Sequence, residues 1–119
     1  LSGFFNMVYS MVNHEVNIET SEKPLDKNAL DELIRYSGYD VYMILQYVRN
    51  KNEKGFFLIY AKYHNNHVTR QVYTQRRTPR KFKDLQRAID WGKRIGFKSV
   101  TITIDYSGYP DVIQRRGVG

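Results

Sequence analysis

Apolar side chains recur at helical spacing in two stretches of this chain and alternate, or run together, in four others. Ala29, Leu30, Leu33 and Ile34 fall on one helical face, with Asp26 placed to cap the first turn and Ser37-Gly38 to end the last. Val41 to Val48 is β-branched, aromatic or long and apolar apart from Gln46, as in a central strand buried on both faces. Phe56 to Tyr63 and Val68 to Gln75 read as two further strands. The residues between them, His64-Asn65-Asn66-His67, form a turn in which asparagine tolerates positive φ. Thr78-Pro79 then has the form of a helix start, threonine as N-cap and proline at the first helical position. Phe82, Leu85, Ala88 or Ile89, Gly92 and Ile95 follow at helical spacing, and Gly96 ends the run. Val100, Ile102 and Ile104 alternate with Thr101 and Thr103 in a last strand.

The order αβββαβ predicts an α+β fold: a single antiparallel β-sheet of three to five strands with two helices packed on one face, the simplest way to bury two amphipathic stripes. One domain over residues 25–105 accounts for the pattern, and 119 residues suffice for one core but not two. Residues 1–24 read as an N-terminal extension, part of it expected to be foreign to the native protein because Met7 and Met11 follow Leu1 as candidate starts. Val16 and Ile18 alternate with polar neighbours and would add an edge strand. Residues 106–119, with Arg115 and Arg116, read as a flexible basic tail. The tetrapeptide Tyr-Ser-Gly-Tyr, at Tyr36 to Tyr39 and again at Tyr106 to Tyr109, marks two element-ending turns rather than a duplication.

Composition narrows the setting. The chain has no cysteine, hence no disulfide framework and no thiolate metal site, which suits a reducing cytoplasm. Its longest apolar stretches fall far short of the roughly 20 residues that span a bilayer. There is no basic segment followed by an apolar run and a small-residue cleavage site, as a signal peptide requires. A cytoplasmic protein with no membrane partner is the expectation.

Charge changes the picture more. Between Arg70 and Lys98 lie ten Lys or Arg against only Asp84 and Asp90, a local +8 in a chain whose total is +7. Basicity gathered in one segment is a footprint for a polyanion, and nucleic acid, DNA in preference to RNA, is the expected partner. Arg76 and Arg77 belong to the loop. If the second helix begins at Thr78, then Arg80, Lys81 and Lys83 crowd its first turn, where the macrodipole disfavours cations by a few tenths of a kcal/mol each, up to about 1. A phosphate held at that terminus would explain the violation. Arg87 and Arg94 continue the basic face. These eight residues, Thr78 included, are the candidate phosphate contacts, and binding through them should be largely independent of sequence.

A second surface is the sheet face away from the helices. With Val68 and Val72 inward, Thr69, Gln71, Tyr73 and Gln75 point outward, joined by Thr101 and Thr103. Tyr42, Tyr60 and Tyr73 are candidate stacking platforms for unpaired bases. The same face could pair two protomers, so an interaction module that forms a homodimer, or docks an acidic protein through its basic helix, is the alternative reading.

Chemistry beyond binding has little support. His64 and His67 flank a turn without a nearby carboxylate, so they read as turn polarity rather than as metal ligands. Ser10, Ser21, Ser37, Ser99 and Ser107 lie in no nucleophile-elbow context, and no spacing identifies a general base. No cofactor, metal or small-molecule substrate is expected of a non-enzymatic binding protein. A metal-independent ribonuclease built from Tyr, His and Arg, like the bacterial messenger-RNA-cleaving toxins, is the second alternative.

From Leu25 to Ile95 the order helix, three strands, helix resembles the double-stranded-RNA-binding domain, which presents basic residues from the start of its second helix to phosphates. Arg80, Lys81, Lys83 and Arg87 are the positions that this likeness carries over. Asn50 to Gly55 lacks that family's Gly-Pro-x-His element, and Val100 to Ile104 is an additional strand. The run Tyr73-Thr-Gln-Arg-Arg-Thr-Pro-Arg-Lys-Phe-Lys-Asp-Leu, with Ile95-Gly-Phe-Lys-Ser-Val-Thr-Ile, resembles small partition-associated proteins of bacterial plasmids and integrating elements. Those tend to carry Arg-x-Phe-Lys-Ser-Leu, where this chain has Asp84 in place of the serine. That resemblance implies a part in plasmid or mobile-element maintenance or transfer.

Overall fold

Asp26 caps the first helix as its position predicts: its carboxylate accepts a hydrogen bond from the Ala29 amide at 2.8 Å, satisfying one of the free N–H groups of the first turn. Helix α1 runs over Lys27–Tyr36 and stops at Ser37, whose hydroxyl donates back to the Leu33 carbonyl, with Gly38 following at φ +79°. The computed structural model describes residues 18–20, 23–49 and 54–105, of which Ile18–Thr103 form one compact unit. The edge strand expected at Val16, most of the 1–24 extension, residues 50–53 of the expected turn and the 106–119 tail lie outside the described residues. Ile18 is described and joins no strand.

Strands β1 (Tyr42–Val48) and β2 (Phe56–Tyr63) pair antiparallel from Tyr42 opposite Lys62 to Val48 opposite Phe56. The turn between β2 and β3 (Val68–Gln71) places His64, Asn65 and Asn66 at positive φ. A two-residue strand, β4 (Lys81–Phe82), pairs with the far half of β2, helix α2 follows over Leu85–Ile95, and β5 (Val100–Thr103) closes the order. The sheet runs β3-β2-β1-β5, so β1 is central. The class is α+β with both helices on one face of the sheet. The sheet itself is mixed, because β5 lies parallel to β1, Met43 opposite Val100. That direction follows from the chain crossing the sheet through α2 before β5 begins.

Alternation along the strands sends Met43, Leu45, Phe57, Ile59 and Ala61 to the helix side, where they meet Leu30 of α1 and Ala88 and Trp91 of α2 in one buried cluster. Gly92 lets α2 approach β1, since a methyl group there would strike the end of the buried Met43 side chain. On the other side of the sheet Tyr60 and Gln46 are buried, the tyrosine hydroxyl donating to Gln46 Oε1 at 2.9 Å.

The second helix starts six residues later than Thr78-Pro79 suggests. Its N-cap is Asp84, which accepts from the Arg87 amide at 2.9 Å, and Gly96 at φ +114° ends it. Thr78 and Pro79 belong instead to an extended return strand: Pro79 bridges Tyr73, and the Arg80 amide donates to the Val72 carbonyl at 3.0 Å. Arg80 and Lys81 therefore precede the helix rather than crowd its first turn. The cations of its last turn, Lys93 and Arg94, agree with the macrodipole.

Candidate nucleic-acid interface

Residues 72–80 form a small hairpin off the end of β3. Thr74 and Thr78 close it, with the Thr74 amide donating to the Thr78 carbonyl at 2.8 Å and their hydroxyl oxygens 2.8 Å apart. The Arg77 amide donates to the Thr74 carbonyl at 3.0 Å, leaving a three-residue loop of Gln75, Arg76 and Arg77. Its last residue, Arg77, sits at φ +63°, the position of such loops that glycine ordinarily takes. An L-residue there costs roughly 1–2 kcal/mol. The violated local preference thus lies in this loop and not in the helix dipole. Arg77→Gly should leave stability unchanged or raise it by up to about 1 kcal/mol, because relief at positive φ competes with the greater unfolded-chain freedom of glycine. A thermal melt checks this, and a clear loss of stability would assign Arg77 a structural contact.

Between this hairpin and α2 lies a cleft of about 690 Å³. Four cations line it: Arg76 from the loop, Arg80 from the return strand, Arg94 from the last turn of α2 and Lys27 from the first turn of α1. Tyr73, Thr74, Gln75 and Thr78 add hydroxyl and amide groups, and the buried Val72 and Trp91 supply its apolar part. Among the described residues no carboxylate lines the cleft and none of the four cations forms an ion pair.

Arg80 is the most constrained of them. Its guanidinium lies 5.1 Å from the Trp91 ring centroid and 5.2 Å from that of Phe82, and the two rings are themselves in contact at 5.6 Å. Stacking of this kind contributes about 0.5–2 kcal/mol and holds the charge in one place. The Arg80 Nε is buried with no hydrogen-bond partner among the described residues. An unsatisfied buried donor costs about 1–3 kcal/mol.

The structure divides the residues that sequence reasoning grouped together. Arg76, Thr78, Arg80 and Arg94 meet at the cleft, and Arg77 is exposed beside it on the loop. Arg87 lies on the same stripe of α2 as Trp91 and Arg94, at i, i+4 and i+7. Lys83 is exposed just before the Asp84 cap. Lys81 departs from the group: it pairs with Leu58 on the far side of the sheet, where its ammonium lies 4.6 Å from the Phe56 ring centroid. Among the tyrosines, Tyr73 lines the cleft, Tyr42 lies opposite Lys62 on the far side of the sheet, and Tyr60 is a buried hydrogen-bonded residue rather than a platform for a base.

Thr74, Lys27 and Trp91 of the cleft were not singled out from the sequence. Lys27 could have been, as a cation at the first position of a helix, against the dipole. Trp91 could have been, as the sole tryptophan of the chain, four residues after Arg87 and three before Arg94. His64 and His67 stand at the opposite end of β3, with ring centroids 6.0 Å apart and Tyr39 against His64 at 5.0 Å. The described residues contain no group of three or more potential His or carboxylate metal ligands, and no helix among them is long and apolar enough to cross a membrane. Comparison of the chain with protein-family models, with curated proteins and with solved structures finds no match.

Proposed function

We propose that this protein binds nucleic acid, DNA in preference to RNA, by contacting phosphates from the basic surface centred on the cleft between the 72–80 hairpin and α2. The observation that carries the reading is the gathering of Lys27, Arg76, Arg80 and Arg94 around one concavity, with no carboxylate among its described lining residues. Four like charges brought together repel one another, and an anionic ligand offsets that repulsion. Arg77, Lys83 and Arg87 extend the positive surface from the loop to the exposed side of α2. Contacts of this type position a phosphate backbone and read no bases, so the affinity is largely independent of sequence. The likeness of residues 73–85 and 95–102 to partition-associated proteins makes plasmid DNA the first substrate to try, for an accessory role in maintenance or transfer.

If Arg76, Arg77, Lys83, Arg87 and Arg94 each neutralise one phosphate, log affinity for duplex DNA should fall against log salt with a slope of about −4 to −5. Fluorescence anisotropy with duplex DNA, single-stranded DNA and duplex RNA over a salt series measures this. A slope near zero, or binding that persists in 0.5 M salt, would reject phosphate-dominated binding and favour a protein partner instead.

A further inference from the structure

We infer that the interior of the cleft, around Arg80, is a receptor for the phosphomonoester group of a nucleotide, such as the phosphorylated end of a nucleic-acid strand, while the exposed cations at its rim, Arg76 and Arg94, also serve internal backbone phosphates. The inference rests on the nucleic-acid reading above and adds what enters the concavity itself.

Charge supports a phosphomonoester. An internal phosphodiester carries one negative charge and two free oxygens. A phosphomonoester carries about −1.5 to −2 near neutral pH and three strong acceptor oxygens. Lys27, Arg76, Arg80 and Arg94, with the Thr74 and Thr78 hydroxyls nearby, are more donors than a diester can use. Shape points the same way. A backbone phosphate is flanked on both sides by its own strand and suits a surface ridge, whereas the end of a strand, or a free nucleotide, can enter a cleft of about 690 Å³.

Arg80 makes the site selective. Packed against Trp91 and Phe82, its planar guanidinium is held before any ligand arrives, and a fixed guanidinium fork suits phosphate oxygens better than a mobile ammonium does. Its buried and unpartnered Nε means that part of the desolvation cost is already present in the free protein. Tyr73, half-buried, lines the same cleft and is the aromatic residue nearest in sequence to the loop, the candidate to meet a base attached to the phosphate.

Trp91 is the only tryptophan in the chain and lines the cleft, so its fluorescence comes from one indole at this site. The experiment titrates the full chain with thymidine oligonucleotides of about eight residues, either phosphorylated at one end or bearing hydroxyls at both, and with thymidine monophosphate, inorganic phosphate and closed circular duplex DNA. The phosphorylated oligonucleotide should bind at least about tenfold more tightly than the hydroxyl-ended one and change the Trp91 emission. Arg80→Gln should abolish that preference, lowering affinity for the phosphorylated oligonucleotide far more than affinity for circular duplex. Arg94→Gln, at an exposed position, should reduce the preference even if the Arg80 variant fails to fold. Thymidine monophosphate binding as tightly as the phosphorylated oligonucleotide identifies the free nucleotide as the source of the group; weaker binding identifies the strand end. Equal affinity for phosphorylated and hydroxyl-ended oligonucleotides overturns the inference. Circular duplex binding that persists in that case leaves the nucleic-acid reading standing, and its absence removes both.

Discussion

Trp91→Ala should cost about 3–5 kcal/mol of stability, the largest effect expected of any single substitution in the cleft. Trp91 is only 7% exposed and meets Phe82 at 5.6 Å and Phe97 at 6.1 Å between ring centroids, so removing the indole opens a cavity against two aromatic neighbours. It also removes one of the two rings that hold the Arg80 guanidinium. Domains of this size are stable by about 5–15 kcal/mol, so the variant should be marginal and its urea midpoint, followed by circular dichroism, should fall steeply. Trp91→Phe keeps a ring at the position and should lose markedly less. A loss below about 1 kcal/mol for the alanine variant would show that the wall between core and cleft does not depend on this side chain.

Reversing Arg76 and Arg94 together, each to Glu, should weaken duplex DNA binding roughly a thousandfold at 0.1 M salt. Each reversal removes a phosphate contact and introduces a repulsion, so the effective number of neutralised phosphates drops from about five to about one and the salt slope to near −1. Both side chains are exposed, so the melting temperature should stay close to that of the parent protein. The matched comparison is Lys62→Glu with Lys81→Glu, the same change in net charge on the opposite side of the sheet. That pair should lower affinity only several-fold, through long-range repulsion that salt screens. Equal losses from the two pairs would mean that net charge alone drives binding and that the cleft is not its centre.

Much of the fold was legible locally because the signals concern neighbours in the chain. Asp26 caps α1 and Gly96 ends α2 through contacts within four residues. The His64 to His67 turn depends on the backbone tolerance of its own residues. The start of α2 was not legible. Thr78 and Asp84 are both good N-caps, and Pro79 suits a first helical turn as well as it suits an extended segment. What separates them is pairing, Arg80 with Val72 across the hairpin and Lys81-Phe82 with Phe57-Leu58, and the second lies outside any local window around Thr78.

The basic site divides along the same line. Local composition already located an excess of positive charge between Arg70 and Lys98, because charge is additive along a chain. Which of those charges converge is a three-dimensional matter. Pairing sends Lys81 to one side of the sheet and Arg80 to the other, since successive residues of a strand face opposite ways. Lys27 reaches the cleft because Leu25 bridges Val72, a contact between residues 47 positions apart that lays the start of α1 beside the hairpin. The linear pattern thus determined most of the elements, the α+β class and a local excess of positive charge. Tertiary pairing alone turned a basic segment into a cleft, because concavity and charge convergence depend on contacts between distant parts of the chain.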